Sequence, residues 1–434
     1  MRRIQQLSVS LSSPSKHMSD NRPKISEVFT PRSATVNPAM YIDRPAHQRD
    51  LKRAVEGSLH AILCGESGGG KSWLYRHVAR LENWETFYAN AGNAARHKTL
   101  TGTIALAIHD EGEREWVEYS QKLDGKVGAF GIGASTEAAR KYEVKTKEIL
   151  LKAFKAARSK AGNKTAVLVI DNLEAIFGKA ELMEELGNII LLLDDPDYAQ
   201  YRVKMLLVGV PAEVVEYYQR IQNLETVSNR LQEIPSVTGM NWGQVEEFVR
   251  RGLIGQLKVK LTAEQVTLIA RHVENVTLGI AQRLHEYCEL LGYNIEDSEW
   301  NFDPSLLKSA DQKFLATCLK KSYAVVDSSM NERKTKAGRR NQVLFALGKI
   351  NVTEFDVAEV ERLVRNEFPV STKNTALAVG QMLSDLATGD APLLRRASKG
   401  ASFRFSDPRY LMCLRVMLQK SSEGEKVLKA TFRR

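Results

Sequence analysis

The stretch Leu59-His60-Ala61-Ile62-Leu63-Cys64-Gly65-Glu66-Ser67-Gly68-Gly69-Gly70-Lys71-Ser72 decides how this chain is built. Leu59 to Cys64 is a short apolar run that reads as a strand, and Ser72 to Leu81 reads as a helix. Between them the residues match G-x-x-x-x-G-K-[ST] in full. Glycines let successive backbone N–H groups curl around an anion, and the helix N-terminus adds a favourable dipole. Gly65, Glu66, Ser67, Gly68, Gly69, Gly70, Lys71 and Ser72 are therefore the candidate phosphate-binding residues. Lys71 would reach the β- and γ-phosphates of a nucleotide, and the Ser72 hydroxyl would ligate Mg²⁺. The competing reading is a glycine turn that happens to precede Lys-Ser, and the strand before it and helix after it argue against that.

About a hundred residues on, Ala166 to Asp171 is an unbroken apolar run that ends in a carboxylate, as a buried strand delivering a Mg²⁺-holding group would. Hydrolysis also needs a group to orient or deprotonate water, commonly a glutamate directly after that aspartate. Here the position is Asn172. Glu174 is the nearest carboxylate, and two roles are open for it: water orientation, or capping of the helix after the strand.

Further strands are expected at Glu85–Ala89 and Val203–Val208, with helices between them, Val144–Ser159 among these. Alternation of strand and helix implies α/β architecture with a parallel sheet. After Met240 the strands stop, and Trp242–Leu257, Thr262–Val273 and Thr277–Leu291 read as a small helical lid. The division expected is a flexible tail over residues 1–40, an ATPase-type core over 41–238, a lid over 239–300, a basic domain over 305–420 and a basic tail over 421–434. Tyr293–Pro304 reads as the linker. The glycine-rich Gly125–Ala134 suits a hairpin.

Taken in order, Asp43-Arg44 with Gln48 and Leu51, the glycine loop, the Asp171 strand, the Val203–Pro211 segment, Ser228-Asn229-Arg230 and Gly279-x-x-x-Arg283 resemble the AAA+ P-loop ATPases. Within them the order is nearest the origin-recognition/initiator group and related transposition and signal-transduction ATPases. The resemblance spans roughly residues 40–300, and a C-terminal winged helix, as in initiators, extends it to about 420. It implies ATP and Mg²⁺ as cofactors, Arg230 as a finger reaching a neighbouring subunit's site, and Arg283 as a lid arginine sensing the γ-phosphate. Gly209-Val210-Pro211 departs from the family pattern where a polar sensor is usual. Together with Asn172, this implies slow hydrolysis.

The chain has 434 residues with 62 Lys+Arg and 52 Asp+Glu, a net charge of +10. Residues 305–434 hold 24 Lys+Arg and 13 Asp+Glu, net +11, which leaves −1 for the rest. One third of the chain carries the whole excess, as an anionic partner requires. That third fits a winged helix-turn-helix. Helices are expected at Asn341–Leu347, Val357–Phe368 and Ser371–Ala387, the last capped by Ser371 or Thr372, followed by a wing over Leu393–Phe405 around Lys399-Gly400. The DNA-facing candidates are Lys373, Asn374 and Thr375 at the start of the third helix, with Thr372 and Gln381 beside them. Arg395, Arg396, Lys399 and Arg404 belong to the wing. Arg333, Lys334, Lys336, Arg339 and Arg340 lie ahead of it.

No apolar run approaches the ~18–20 residues needed to span a bilayer. The four cysteines form no metal-ligand or disulfide pattern, so a cytoplasmic location is expected. No G-x-S-x-G elbow or histidine cluster supports a covalent or nuclease centre. The partners expected are duplex DNA, further copies of the chain when ATP is bound, and a separate effector protein. The alternative is a nucleotide switch or scaffold with little hydrolysis, whose winged helix makes protein contacts.

Overall fold

The computed structural model describes residues 22–109, 136–209, 225–331, 338–397, 401–421 and 425–430. The Gly125–Ala134 hairpin, Val210-Pro211, Arg333, Lys334, Lys336 and Lys399-Gly400 lie outside the described residues, as does most of the two expected tails.

Five strands, β1 (His60–Gly65), β2 (Glu85–Asn90), β3 (Ala166–Asp171), β4 (Val203–Val208) and β5 (Leu231–Val237), form a sheet in the order β2-β3-β4-β1-β5 with every pair parallel. β1 and β3 are buried along their whole length because helices cover both faces. Alternate residues enter different cores. Ile62, Cys64, Leu168 and Ile170 pack on one face, and Ala61, Leu63, Val167 and Val169 pack on the other with Leu74, Tyr75 and Val78 of the helix Lys71–Leu81. This is the α/β P-loop NTPase fold that the glycine loop foretold.

β5 is a strand the sequence conceals. Gln232, Glu233, Pro235 and Ser236 interrupt its apolar pattern, which edge position tolerates because one side of the strand bonds no neighbour.

A third core unites the lid with the C-terminal third, so these are not separate islands. It also contains Ile25, Val28, Phe29 and Met40, which corrects the expectation of a flexible tail to residue 40. Ile25–Val28 is one helical turn, and Phe29 is fully buried. Isolated apolar residues among Ser, Arg and Pro carry no period, and their burial depends on a groove made 200 residues later. In that groove, a side chain on Gly252 would come 2.6 Å from the Phe29 ring. Gly252→Ala is therefore expected to destabilise the chain by about 1–3 kcal/mol through overpacking, measured by denaturant unfolding.

The lid helix Ala281–Asp297 runs through much of the expected linker. Its polar Asn294 is buried, donating to the Leu306 carbonyl and accepting from Lys313. Tertiary partners thus satisfy a residue whose type suggests a loop.

The C-terminal third holds helices Arg339–Leu347, Val357–Glu367 and Val379–Leu386, then the antiparallel pair β6 (Leu394–Arg396) and β7 (Phe403–Phe405), then the helix Pro408–Met417. Phe355 pairs with Phe403 as a bridge onto the hairpin. A second hairpin, β8 (Leu418–Lys420) with β9 (Val427–Lys429), follows.

The single helix expected over Ser371–Ala387 is broken. A turn at Pro369–Thr372 is followed by irregular backbone with Asn374 and Ala378 left-handed (φ 53° and 50°), and the helix restarts at Val379. Arg365 donates to the Thr372 and Thr375 carbonyls, which occupies acceptors a continuous helix would use internally. Ser371 is no cap: its hydroxyl accepts from Gln342 and its N–H donates to Glu425. Thr372 is buried, whereas Lys373, Asn374 and Thr375 are exposed on the loop before the helix rather than on its first turn.

Candidate functional site

Parallel pairing places the C-terminal ends of β1 and β3 at one edge of the sheet, the position where open α/β sheets leave a crevice. β1 ends at Gly65, whose φ of 147° and whose approach to β5 exclude a side chain: a Cβ would lie 2.5 Å from the Val237 carbonyl oxygen. The chain then turns through Glu66–Gly70 into the helix beginning at Lys71.

Lys71 folds back over this loop. Its Nζ donates to the Gly65 carbonyl at 2.8 Å and the Glu66 carbonyl at 2.9 Å, and the residue is 9% exposed. Burial lowers its pKa, partly opposed by the charges of Glu174 and Asp171. A buried ammonium held by neutral carbonyls is poised for an anion.

Asp171 is buried at the end of β3. Its Oδ2 accepts from Ser72 Oγ at 3.1 Å and from Tyr75 Oη at 3.4 Å, while Oδ1 accepts from the Asn172 N–H at 2.8 Å. Burial and the nearby Asp171 charge both push the Tyr75 phenol up, which keeps it a donor. The Ser72 hydroxyl and Asp171 carboxylate thus converge as hard oxygen ligands, a pair suited to Mg²⁺.

Asn172 is left-handed (φ 62°) and starts a tight turn, Leu173–Ala175. Glu174 lies in that turn and lines the cleft, while the next helix begins only at Ala180. Glu174 is therefore not the cap of that helix, whose N-cap is Lys179.

The two arginines lie elsewhere. Arg283 is on the lid helix but outside the cleft lining, with Nη1 donating to Glu286 at 2.5 Å. Its neighbour Gln282 meets the glycine loop through the backbone, its main-chain N–H donating to the Gly68 carbonyl at 2.9 Å, while its side chain lines the cleft and donates to the same Glu286 at 2.8 Å. Arg230 directly precedes β5 and lies beside the start of β1, since the His60 N–H donates to its carbonyl at 2.8 Å. The length of β1, roughly 17 Å at ~3.3 Å per residue, separates it from its own glycine loop. It pairs with Asp194 and is part exposed, so any phosphate it meets belongs to another molecule.

One contributor was named in the sequence pattern without a role. Arg44 is 7% exposed and lines the cleft. Its Nη1 donates to the Thr238 carbonyl at 2.8 Å, while Nη2 is buried without a partner near Gly70. A buried guanidinium with an unused donor beside a phosphate loop supplies a second cation to the same anion. Arg44→Ala is expected to weaken nucleotide binding about tenfold, the value of one charge-assisted hydrogen bond, measured by calorimetry.

The outer wall comes from the segment before the core. Thr30–Ser33 and Met40–Ile42 line the cleft, and Trp73 Nε1 donates to the Ser33 carbonyl at 3.2 Å. Arg76 holds the Ala34 carbonyl, and the Tyr41 ring stacks on His77 with centroids 3.8 Å apart. Residues expected to be a tail therefore bridge the lid to the loop helix across the cleft.

Residues 53–217 match the AAA domain family. The chain carries an AAA domain. Among curated proteins, no sequence matches the chain. Among solved structures, the chain is similar to Cdc6p from Pyrobaculum aerophilum, at 13% identity over 90% of this chain and 97% of that one, with a TM-score of 0.42. It is also similar to the ORC2 protein of Aeropyrum pernix, at 13% identity over 90% and 96%, with a TM-score of 0.49. A third is Drosophila ORC bound to DNA, at 16% identity over 94% and 95%, with a TM-score of 0.43. No helix among the described residues of the AAA protein is long and apolar enough to cross a membrane.

Proposed function

We propose that this AAA protein binds MgATP in the cleft and duplex DNA through its C-terminal third, with nucleotide state controlling assembly on DNA. The observation that carries the nucleotide half is Lys71, a buried cation on neutral carbonyls inside a complete glycine loop. Ser72 and Asp171 would hold Mg²⁺, which when bound neutralises phosphate charge. Lys71 and Arg44 bind the phosphates, and Glu174 orients water.

For DNA, the three helices and the hairpin β6–β7 support a winged-helix reading. Arg395 and Arg404 stand directly opposite each other across the hairpin, which concentrates positive charge on one face of it. Arg396, exposed beside them, is held over the Phe403 ring at 5.2 Å and donates to Ser384. Arg230, remote from its own loop, is suited to complete the site of another copy.

A second reading, a switch that holds ATP and hydrolyses it little, is favoured by two observations. Asn172 occupies the usual glutamate position, and the neutral Gln282 faces the loop where the resemblance implies an arginine. Steady-state phosphate release with and without duplex DNA separates the readings. Turnover that DNA stimulates and Glu174→Gln abolishes supports the ATPase. Tight ATP binding with negligible release in both proteins supports the switch.

A further inference from the structure

His285 lies on the lid helix three residues beyond Gln282, about 4.5 Å further along the axis from the glycine loop. It is 5% exposed, and its ring lines the cleft. Phe248 packs edge-on at 4.8 Å, Trp73 at 5.3 Å and Phe29 at 6.4 Å, so the imidazole has one fixed orientation. Its Nδ1 stands 3.1 Å from the Thr30 N–H, which can only donate. Nδ1 must therefore be the acceptor, and in a neutral ring the proton is then on Nε2. Burial keeps the ring neutral, with its pKa pushed down to about 4. Among the described residues nothing accepts from Nε2.

We propose that His285 donates a hydrogen bond from Nε2 to an acceptor atom of the nucleobase. The inference rests on the reading of the cleft as a nucleotide site and adds to it the group that grips the base. The phosphate end is served by Lys71, Arg44 and the loop. Trp73 packs edge-on against His285, and Met40 and Ile42 line the same cleft, apolar groups that suit a flat heteroaromatic ring. There a neutral donor of fixed direction discriminates among ring acceptors, because a misplaced acceptor would leave both groups unpaired. The Thr30 N–H fixes the tautomer, so the segment that closes the cleft also sets the donor.

The test is binding of ATP and its 1-deaza, 3-deaza and 7-deaza analogues to the full chain, unsubstituted and as His285→Phe and His285→Gln. His285→Phe keeps a ring and removes the donor, and is expected to lose about three- to tenfold in ATP affinity. One analogue should be weakened to the same degree on the unsubstituted chain and lose nothing further on His285→Phe, the coupling a shared contact requires. His285→Gln, which retains an N–H donor, should recover part of the loss. Unchanged ATP affinity in His285→Phe overturns the proposal, and so does an equal loss with all three analogues. Should His285→Phe fail to fold, the analogues decide on the unsubstituted chain: if all bind as ATP does, the proposal fails. Failure of the nucleotide reading looks different, since the unsubstituted chain would then bind none of the four compounds.

Discussion

Lys71→Met is expected to lower ATP affinity at least a hundredfold, measured by calorimetry on the full chain. The variant nucleotide-free chain should unfold at the same temperature or slightly above the unsubstituted one. Two observations set these opposite signs. Among the described residues the ammonium bonds the Gly65 and Glu66 carbonyls and is 9% exposed, so folding desolvates a charge that neutral acceptors hold. Its folded-state pKa is accordingly lowered. A lysine whose folded pKa lies below its unfolded value makes an unfavourable contribution that is fully present below the folded pKa. That contribution fades as pH rises from the folded towards the unfolded pKa. Methionine removes the charge at similar volume, so the fold loses little. With phosphate present the balance inverts, because charge-assisted hydrogen bonds to an anion are worth roughly 1.5–3 kcal/mol each. Two of them correspond to a hundredfold or more. Loss of ATP affinity together with a lowered unfolding temperature would mean that Lys71 is structural.

The second large effect is expected at the hairpin. Replacing Arg395, Arg396 and Arg404 together by alanine should reduce duplex DNA affinity by two to three orders of magnitude at ~0.1 M salt. The slope of log affinity against log salt should shrink by ~2.7, the counterion release of three phosphate contacts at ~0.9 each. Fluorescence anisotropy across a salt series reads both quantities. The unfolding temperature of the variant is measured alongside, since Arg396 also packs over the Phe403 ring and donates to Ser384. An unchanged slope would move the DNA surface elsewhere and favour protein contacts for this domain. The loop residues Lys373, Asn374 and Thr375 are a separate surface, and their replacement by alanine, measured in the same way, would show whether the break before Val379 takes part.

What was legible in the sequence follows a pattern. The glycine loop, Ser72 and the Asp171 strand are local: contiguous residues whose spacing creates the geometry, so their chemistry could be read directly. The buried strands β1, β3 and β4 were legible because burial on both faces demands unbroken apolar runs. β5 was hidden because edge position relaxes that demand. Arg283 was named because the resemblance implies a lid arginine, whereas its position is set by Glu286, a partner on the same helix that takes the side chains of both Gln282 and Arg283. The break at Lys373–Ala378 was invisible because its cause, Arg365, sits on the preceding helix and bonds carbonyls that every residue possesses.

The sequence by itself determined that this chain has a P-loop α/β core, which residues form the glycine loop, and that its positive charge belongs to the C-terminal third. Tertiary structure alone decided that residues 25–42 join the lid core and wall the cleft. It also decided that Arg44 leaves a buried donor beside Gly70 and that His285 lines the cleft with its Nδ1 held by the Thr30 N–H. The physical reason is range. A phosphate loop is made by neighbours in the chain, whereas burial of Phe29 against Gly252, or of His285 against Thr30, exists only once segments more than 200 residues apart are packed together.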